Sequence, residues 1–266
     1  MFPYDTPPVL KERGEDETLL KLMRNIYESE EVVQERIGYI VVDTKDDEKD
    51  KDLSYSVICC SPKYRRATIV GCFLSVFQQL TGINAIMFYS NMLFKGLSMT
   101  STEITFYIGV VNFLATLVGL VLLIFFGRKS LMLVFNVLMT LMLSLLSIYS
   151  FDKNSIGMIV CVLLFIAFFE FSSGPIVWLY NAEIMRDKAV AIATFLNWFI
   201  SLVISVCIPF LVKKFDIGWI FLSFAIFTAL GSVFIAVFMR ETRGKTQAEI
   251  DELFDDSEPN DFKMEE

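Results

Sequence analysis

Six long apolar runs follow one another between residues 68 and 239, separated by short polar connections. An α-helix rises about 1.5 Å per residue, so about 20 apolar residues cross the ~30 Å hydrocarbon core of a bilayer. Connections of only a few residues also force neighbouring helices to run antiparallel. We therefore predict an all-α, polytopic membrane protein whose six transmembrane helices cover 68–94, 104–126, 131–151, 156–180, 189–212 and 218–239.

The polar segments at the two ends divide the chain into three predicted regions. Residues 1–66 are polar, and 16–40 show the apolar spacing of an amphipathic helix, so we expect a cytosolic helical linker region there. The six-helix transmembrane domain is expected at 67–240. Residues 241–266 are rich in acidic side chains, which predicts an acidic cytosolic tail.

Composition supports a membrane protein and excludes other classes of function. The chain is 55% hydrophobic with a mean hydropathy of +0.55, and its net charge of −8 comes mostly from the polar ends. No basic patch is available for a nucleic acid, and the absence of histidine excludes histidine-based metal sites and general bases. The five cysteines form no disulfide framework. We expect no enzyme activity, no cofactor and no metal.

The distribution of lysine and arginine around the apolar runs gives the expected orientation. If both tails are cytosolic, basic residues near the membrane are more frequent inside than outside, as the positive-inside rule requires. The inside residues are Lys63, Arg65, Arg66, Arg128, Lys129, Arg186, Lys188, Arg240, Arg243 and Lys245, and the outside residues are Lys95, Lys153, Lys213 and Lys214. We expect a multi-pass integral protein with both termini in the cytosol. The plasma membrane is the favoured location, and an internal membrane stays open as the alternative.

Polar side chains inside the apolar runs are the main candidates for function, because an unpaired amide in hydrocarbon is costly. The first run carries Gln78, Gln79 and Asn84, which reach one cavity only if the helix is loosened near Gly82. The later runs add Asn112, Glu170 and Asn197. This set has two interpretations. The amides either hold helices together or line a cavity for a neutral polyhydroxy ligand, whose hydroxyls need both a donor and an acceptor.

Two further patterns suggest segments that change conformation. Gly174-Pro175 interrupts the fourth run and predicts a kink, which either flanks a substrate site or serves packing alone. Trp178 follows it and either stacks on a sugar ring or anchors the helix at the membrane interface. Charged residues gather at the expected cytosolic ends of the runs, where they form a salt-bridge layer that closes a gate or only set the topology: Arg128, Lys129, Glu183, Arg186, Glu241 and Arg243.

Several motifs together resemble the sugar porter family of the major facilitator superfamily. The stretch FQQLTGINAIMFYS (77–90) is similar to that family's seventh-helix signature. Five other stretches match the family in order and cover nearly the whole chain: YDTPPVLKERGEDE (4–17), GRK (127–129), GPIVW (174–178), FLNWF (195–199) and ETRGKTQAEI (241–250).

The resemblance implies transport of a neutral monosaccharide, a glucose-like hexose, by alternating access through the lipid bilayer. The family has twelve helices, and the matching positions imply the C-terminal six-helix half, which needs an N-terminal six-helix half for transport. The implied sugar contacts are Gln78, Gln79, Asn84, Asn112, Glu170, Trp178 and Asn197. The resemblance implies that Tyr89 belongs to the extracellular gate and that Arg128, Glu183 and Arg186 belong to the cytosolic lock. The predicted gate also includes the Gly174-Pro175 break, Glu241 and Arg243, from the patterns described above.

The chain departs from the family pattern in ways that concern the cytosolic lock. Ile124 stands where an acid usually precedes the G-R-K motif, and Val177 and Arg240 replace prolines. Two other functions remain open. The chain could be a non-transporting sugar sensor or regulatory subunit derived from such a transporter, or a structural bundle without a ligand.

Overall fold

The described part of the chain comprises residues 5–27, 29–38, 54–93 and 100–255, and we analysed it in a computed structural model. Backbone contacts divide the chain into two compact units, Met1–Tyr55 and Ser56–Glu266. The first unit contains helices α1 (Pro7–Glu12), α2 (Asp16–Ile26) and α3 (30–38). Its small core consists of Leu10, Leu19, Met23 and Val33.

The helix expected over 16–40 is interrupted in the first unit. α2 ends at Ile26, and Tyr27 has the extended backbone (φ −116°, ψ 134°) that separates α2 from α3. Leu19 and Met23 are buried as the spacing predicts, but Ile26 is exposed because the helix ends there. Residues 39–40 of the predicted helix, and the charge run 44–52, lie outside the described residues.

The second unit is a bundle of helices, and the helices of its described residues contain six segments long and apolar enough to cross a membrane. These segments run over Pro62–Phe88, Thr102–Phe125, Arg128–Phe151, Ser155–Ile184, Asp187–Lys214 and Ile217–Phe238. They agree with the six predicted spans within a few residues at most ends. The predicted all-α membrane fold is therefore confirmed. The three predicted regions and their boundaries stay predictions.

Two of the six spans are each built from two helices. The first span consists of α5 (Pro62–Leu80) and α6 (Ile83–Leu93). A short helix, α4 (Tyr55–Cys60), precedes it. The second and third spans are α7 (Ser101–Phe125) and α8 (Arg128–Phe151). The fourth consists of α9 (Ser155–Phe171) and α10 (Ser173–Ile184). The fifth and sixth are α11 (Asp187–Lys214) and α12 (Ile217–Phe238), and α13 (Gln247–Phe254) follows.

Side-chain caps begin several of these helices at the residues the local sequence favours. Thr100 and Glu103 form a capping box at α7, and Thr246 and Glu249 form another at α13. Asn154 accepts a hydrogen bond from the Gly157 N–H at the start of α9. These caps satisfy N–H groups that a helix leaves unpaired in its first turn, so the three helices begin at defined positions.

Close packing in the bundle joins helices that are distant in sequence, chiefly α5 with α11 and α8 with α12. The main core is formed by apolar side chains such as Leu143, Phe165 and Phe221. By contrast, many large apolar side chains of α7 and α11 are exposed, among them Phe113 and Phe195. Exposed apolar rows on long helices are expected where a bundle contacts lipid or another transmembrane unit.

Candidate functional site

The first span is broken at Thr81-Gly82, near its middle. Gly82 has a left-handed backbone (φ +85°), and a Cβ there would lie 2.6 Å from the Phe224 ring, so glycine is required for both reasons. The break lets Asn84 Nδ2 donate to Gln79 Oε1 over 2.6 Å, although the two residues are five apart. The loosening near Gly82 on which a common cavity depends is therefore present.

Four amide side chains meet at this break, and we call Gln78, Gln79, Asn84 and Asn197 the amide cluster. Asn197 Nδ2 donates to Gln78 Oε1 over 2.8 Å, and Gln79 Nε2 donates to Asn197 Oδ1 over 2.9 Å. Asn197, on α11, thereby joins both glutamines of α5. The cluster holds the two helices together and also concentrates amide donors and acceptors in the middle of the bundle.

The second break lies at Ser172, between α9 and α10. The sequence placed this kink at Gly174-Pro175, but the helix is interrupted two residues earlier, where Ser172 has φ −136° and ψ −93°. The proline ring would clash with the carbonyl four residues before it, and a proline is accommodated best in the first turn of a helix. The chain therefore breaks at Ser172, and Pro175 lies in the first turn of α10.

The amide cluster contacts this second break directly. Gln78 Nε2 donates to the carbonyl oxygens of Ser173 (2.7 Å) and Gly174 (3.2 Å) at the start of α10. One glutamine side chain therefore connects the break in the first span with the break in the fourth. Broken helices that meet in the middle of a bundle are the arrangement in which transporters build their substrate sites.

A second polar group surrounds Glu170, the last polar residue of α9. Its carboxylate accepts hydrogen bonds from Asn112 Nδ2 (2.9 Å) and Thr116 Oγ1 (3.0 Å), both on α7. A Cβ on Gly174 would lie 3.1 Å from Glu170 Oε2, so the carboxylate is also next to the first turn of α10. The partial positive charge at the start of a helix stabilises a nearby carboxylate. We call Asn112, Thr116 and Glu170 the carboxylate group.

The predicted sugar contacts differ in how accessible they are. Gln78, Gln79 and Asn197 are at most 5% exposed, because their amides satisfy one another. Six predicted positions are partly or fully exposed: Asn84, Asn112, Glu170, Gly174, Pro175 and Trp178. A ligand would meet this accessible edge first and reach the buried amides by exchanging hydrogen bonds.

The charged residues predicted for the gate also come together, at the end of the bundle where α8 begins and α10 ends. Arg128 Nη2 lies 2.8 Å from Glu183 Oε1, and both side chains are less than one-fifth exposed. Glu241 accepts hydrogen bonds from the backbone N–H groups of Arg128 (2.8 Å) and Lys129 (3.1 Å), so it caps α8. A Cβ at Gly127 would lie 2.2 Å from this carboxylate, so a larger residue there would require the Glu241 side chain to shift.

Arg243 extends this group to α7. Its guanidinium donates to the carbonyl oxygens of Ile124 (2.8 Å) and Phe125, the last residues of α7. The family's usual acid is absent at Ile124, and the arginine binds main-chain carbonyls at that position. A cation is favourable at a helix C-terminus, where carbonyl groups have no intrahelical partner. We call Arg128, Glu183, Glu241 and Arg243 the edge cluster.

Helix α13 packs beside the edge cluster. Arg186 forms an ion pair with Asp251, and Gln247 Nε2 donates to the Glu183 carbonyl oxygen over 3.2 Å. Ile250 and Phe254 are buried and fix the helix to the bundle. Backbone and side-chain hydrogen bonds from Thr246 lower the pKa of Glu249 below its ordinary value. The charged residues predicted for the gate thus lie close to one another. Tyr89, predicted for the extracellular gate, is in α6, and its side chain lies outside the described part of the chain.

Sequence analysis missed several polar partners that the structure reveals. Asn84 Nδ2 also donates to Ser201 Oγ over 2.8 Å, and Asn197 Nδ2 donates to the Ser75 carbonyl oxygen. Thr116 and Ser201 each follow an identified amide by four residues, so one-turn spacing could have found them. Asp251 has no such local signal. Among the described residues, no group of three histidine, cysteine or acidic side chains could hold a metal ion.

Comparison with known proteins gives a consistent result. Residues 2–254 match the family described as "Sugar (and other) transporter". The chain is 31% identical over 94% of its length to the glucose transporter GlcP of Staphylococcus epidermidis, of which it covers 57%. It is 29% identical over 93% of its length to a homologue of the facilitated trehalose transporter Tret1-2 of Drosophila sechellia, of which it covers 54%.

A solved structure shows the same architecture. The major facilitator superfamily proton:xylose symporter XylE, of E. coli, bound to 6-bromo-6-deoxy-D-glucose, superposes with a TM-score of 0.76 and 26% identity. The match covers 94% of this chain and 54% of the symporter chain. The chain therefore spans little more than half the length of each of these relatives.

Proposed function

Because the chain belongs to the sugar transporter family of the major facilitator superfamily, a family of transporters rather than enzymes, we propose that it forms one wall of a sugar-binding site. The substrate we propose is a neutral monosaccharide, a glucose-like hexose. Transport would proceed by alternating access, with this unit as the C-terminal half and a six-helix N-terminal half as the opposite wall. Both termini would lie in the cytosol, and the protein would be located in the plasma membrane.

The amide cluster at the two helix breaks is the observation that carries this proposal. Each amide offers both a donor and an acceptor, which matches the hydroxyl groups of a sugar. Neutral hydrogen bonds contribute only about 0.5–1.5 kcal/mol each, so a ligand can replace them one for one without a large penalty. Relatives of this chain are named for glucose, trehalose and xylose, all neutral polyhydroxy compounds.

The carboxylate group provides the proposed second side of the wall. Glu170 accepts hydrogen bonds from Asn112 and Thr116, and one of its oxygens lies beside Gly174 at the start of α10. A carboxylate can accept hydrogen bonds from sugar hydroxyls that the amides leave unpaired. Trp178 is partly exposed on the same helix and offers an apolar surface for a sugar ring.

The edge cluster is proposed to close the cytosolic side of the pathway. It joins the ends of α7 and α10, the start of α8 and the segment after α12 through ion pairs and helix caps. All these links lie within this half, so rocking against the other half leaves them intact, and we propose that they fix a charged edge that meets the N-terminal half when the cytosolic side is closed.

Sugar uptake into cells that lack hexose transport tests the proposal. Three forms are compared: the chain alone, the chain joined to a six-helix N-terminal half from the same source, and the joined form with Gln78→Ala. We expect uptake of D-glucose only by the joined form, and loss of uptake in Gln78→Ala at an unchanged membrane level. Gln34→Ala, an equal truncation of an exposed side chain in α3, serves as the matched control and should keep uptake.

The outcomes separate the alternatives. A joined form that is well inserted but transports no monosaccharide contradicts the transporter proposal and favours a sugar sensor or a structural bundle. Uptake of trehalose but not of D-glucose contradicts the monosaccharide assignment alone. Uptake by the chain alone contradicts the requirement for a second half.

A further inference from the structure

Helix α4 ends in two adjacent cysteines, Cys59 and Cys60, which take no part in the clusters described above. Both thiols are exposed. Only Ser61, the N-cap of α5, separates them from Pro62, the first residue of the first membrane span. The pair is therefore located where the chain enters the membrane.

α4 is held against α5 in a defined position. Ile58 is 1% exposed, and its carbonyl oxygen lies 3.4 Å from the Thr68 hydroxyl. Thr68 follows Pro62 by six residues, which corresponds to about 9 Å along α5. α4 therefore lies alongside the first turns of α5. With Ile58 directed inward, Val57, Cys59 and Cys60 remain exposed at the side of the bundle.

The surroundings of α4 have the charge and polarity of an inner membrane surface. Lys63 and Arg65 are exposed in the first turns of α5, and basic residues at this depth favour the anionic headgroups of the cytosolic leaflet. Further along α5, Ile69 and Phe73 are exposed apolar side chains at the depth of the lipid tails. The location of α4 uses the orientation proposed above but does not depend on the sugar.

We propose that Cys59 and Cys60 form a site of reversible S-acylation by a long-chain fatty acyl group. The sulfur of either cysteine attacks the thioester carbonyl of a long-chain acyl-coenzyme A, forming a new sulfur–carbon bond. The bond to the coenzyme A sulfur breaks, and coenzyme A leaves as a thiol with the cysteine proton, so no oxidant is required. Juxtamembrane cysteines are the positions at which this modification occurs, because the acyl chain inserts directly into the adjacent leaflet.

The other three cysteines lack this combination of exposure and location. Cys161 is buried, and Cys72 is partly buried inside the first span. Cys207 is exposed but lies within α11, twenty residues after the helix begins at Asp187. This places Cys207 about 30 Å from the start of α11, on the far side of the membrane from α4. Cys207→Ser is therefore the matched control.

An acyl-exchange assay tests the proposal on the full chain, expressed in a eukaryotic host cell that contains protein acyltransferases. Free thiols are blocked, thioesters are cleaved with neutral hydroxylamine, and the released thiols are captured. We expect hydroxylamine-dependent capture of the unchanged chain and of Cys207→Ser, and its loss in the double variant C59S/C60S. Incorporation of an alkyne-labelled palmitate should follow the same pattern. Fluorescence size-exclusion chromatography of a tagged form checks that the double variant is folded.

Three results would overturn the proposal. The first is no hydroxylamine-dependent capture of the unchanged chain. The second is capture that persists in C59S/C60S, which would place the acyl group elsewhere. The third is a modification of Cys59 and Cys60 that a thiol reductant removes but hydroxylamine does not, which would identify a disulfide.

Discussion

In the middle of the bundle, polar side chains are held mainly by hydrogen bonds between neutral amides, whereas at the edge cluster they are held by ion pairs and helix caps. Gln79 and Asn197 illustrate the first case, with an amide-to-amide distance of 2.9 Å. Arg128 and Glu183 illustrate the second, with a charged pair at 2.8 Å. Glu170, a carboxylate in the same central region, is bound by the amide of Asn112 and the hydroxyl of Thr116.

The difference follows from the cost of moving each kind of group away from water. Charges in a bilayer interior are expensive, so a central site built from amides avoids most of that cost. Amide bonds are also weak enough for a ligand to replace. Near the membrane surface, water and salt can solvate charged groups, so ion pairs are tolerated there at a lower cost. This contrast supports our proposal that the central region binds the substrate, whereas the edge fixes the ends of the helices.

The largest expected effect comes from Gly119 on α7, where the central region depends on close packing. A Cβ at Gly119 would lie 2.3 Å from the Glu170 carbonyl oxygen, so Gly119→Ala must push α7 away from α9. We expect a loss of about 1–3 kcal/mol in stability, measured as a lower midpoint of thermal unfolding in detergent. The loss should not depend on salt.

Gly109→Ala is the matched control on the same helix. A Cβ at Gly109 meets nothing within 4 Å, so stability should be unchanged or slightly higher. Equal destabilisation by the two substitutions would show that α7 and α9 do not pack as described.

The next largest effect is expected at the edge cluster, where stability should depend on salt, unlike at Gly119. A double-mutant cycle with Arg128→Ala and Glu183→Ala should give a coupling of about 1 kcal/mol, which decreases at high salt. Thermal unfolding of the four proteins in low and high salt measures this coupling. A coupling near zero at low salt would show that the Arg128–Glu183 ion pair does not stabilise the edge cluster.

The smallest effect is a pH dependence in α13. The folded-state pKa of Glu249 is lowered, mainly by the hydrogen bond from the Thr246 backbone. The stabilisation is therefore fully present above the ordinary glutamate pKa and is lost as the pH falls through the lowered folded value. Hydrogen exchange at the α13 amides should accelerate in that acidic range. Glu249→Gln should remove this acceleration of hydrogen exchange at acidic pH. If the pH dependence of exchange in this variant equals that of the unchanged protein, the assignment to Glu249 is wrong.

The spans and one of the breaks could be predicted from the sequence because local patterns determine them. Apolar length gave all six spans, and the spacing of Gln79 and Asn84 required the break found at Gly82. The second break was predicted at Gly174-Pro175 and occurs at Ser172, since the proline acts on the turn that precedes it.

Contacts between distant elements could not be predicted in the same way. The resemblance implied that Gln78, Gln79 and Asn197 contact a sugar, and the residues themselves left helix pairing open, but the sequence could not show which side chains pair or that these three are nearly buried. Likewise, the absence of an acid at Ile124 suggested a weaker lock, and the contact of Arg243 with the carbonyls at the end of α7 was not foreseen. Such pairings depend on how helices pack, which no single segment encodes.

The central claim is that the amide cluster binds sugar, and the affinity of the joined protein for D-glucose tests it most directly. Asn84 is accessible and bonds both Gln79 and Ser201, so Asn84→Ala should weaken binding about tenfold. Asn154→Ala removes an amide of the same type from the α9 cap. It should lower thermal stability without changing the affinity. If Asn84→Ala is well folded and binds D-glucose as tightly as the unchanged protein, the amide cluster serves helix packing and the proposed binding wall is wrong.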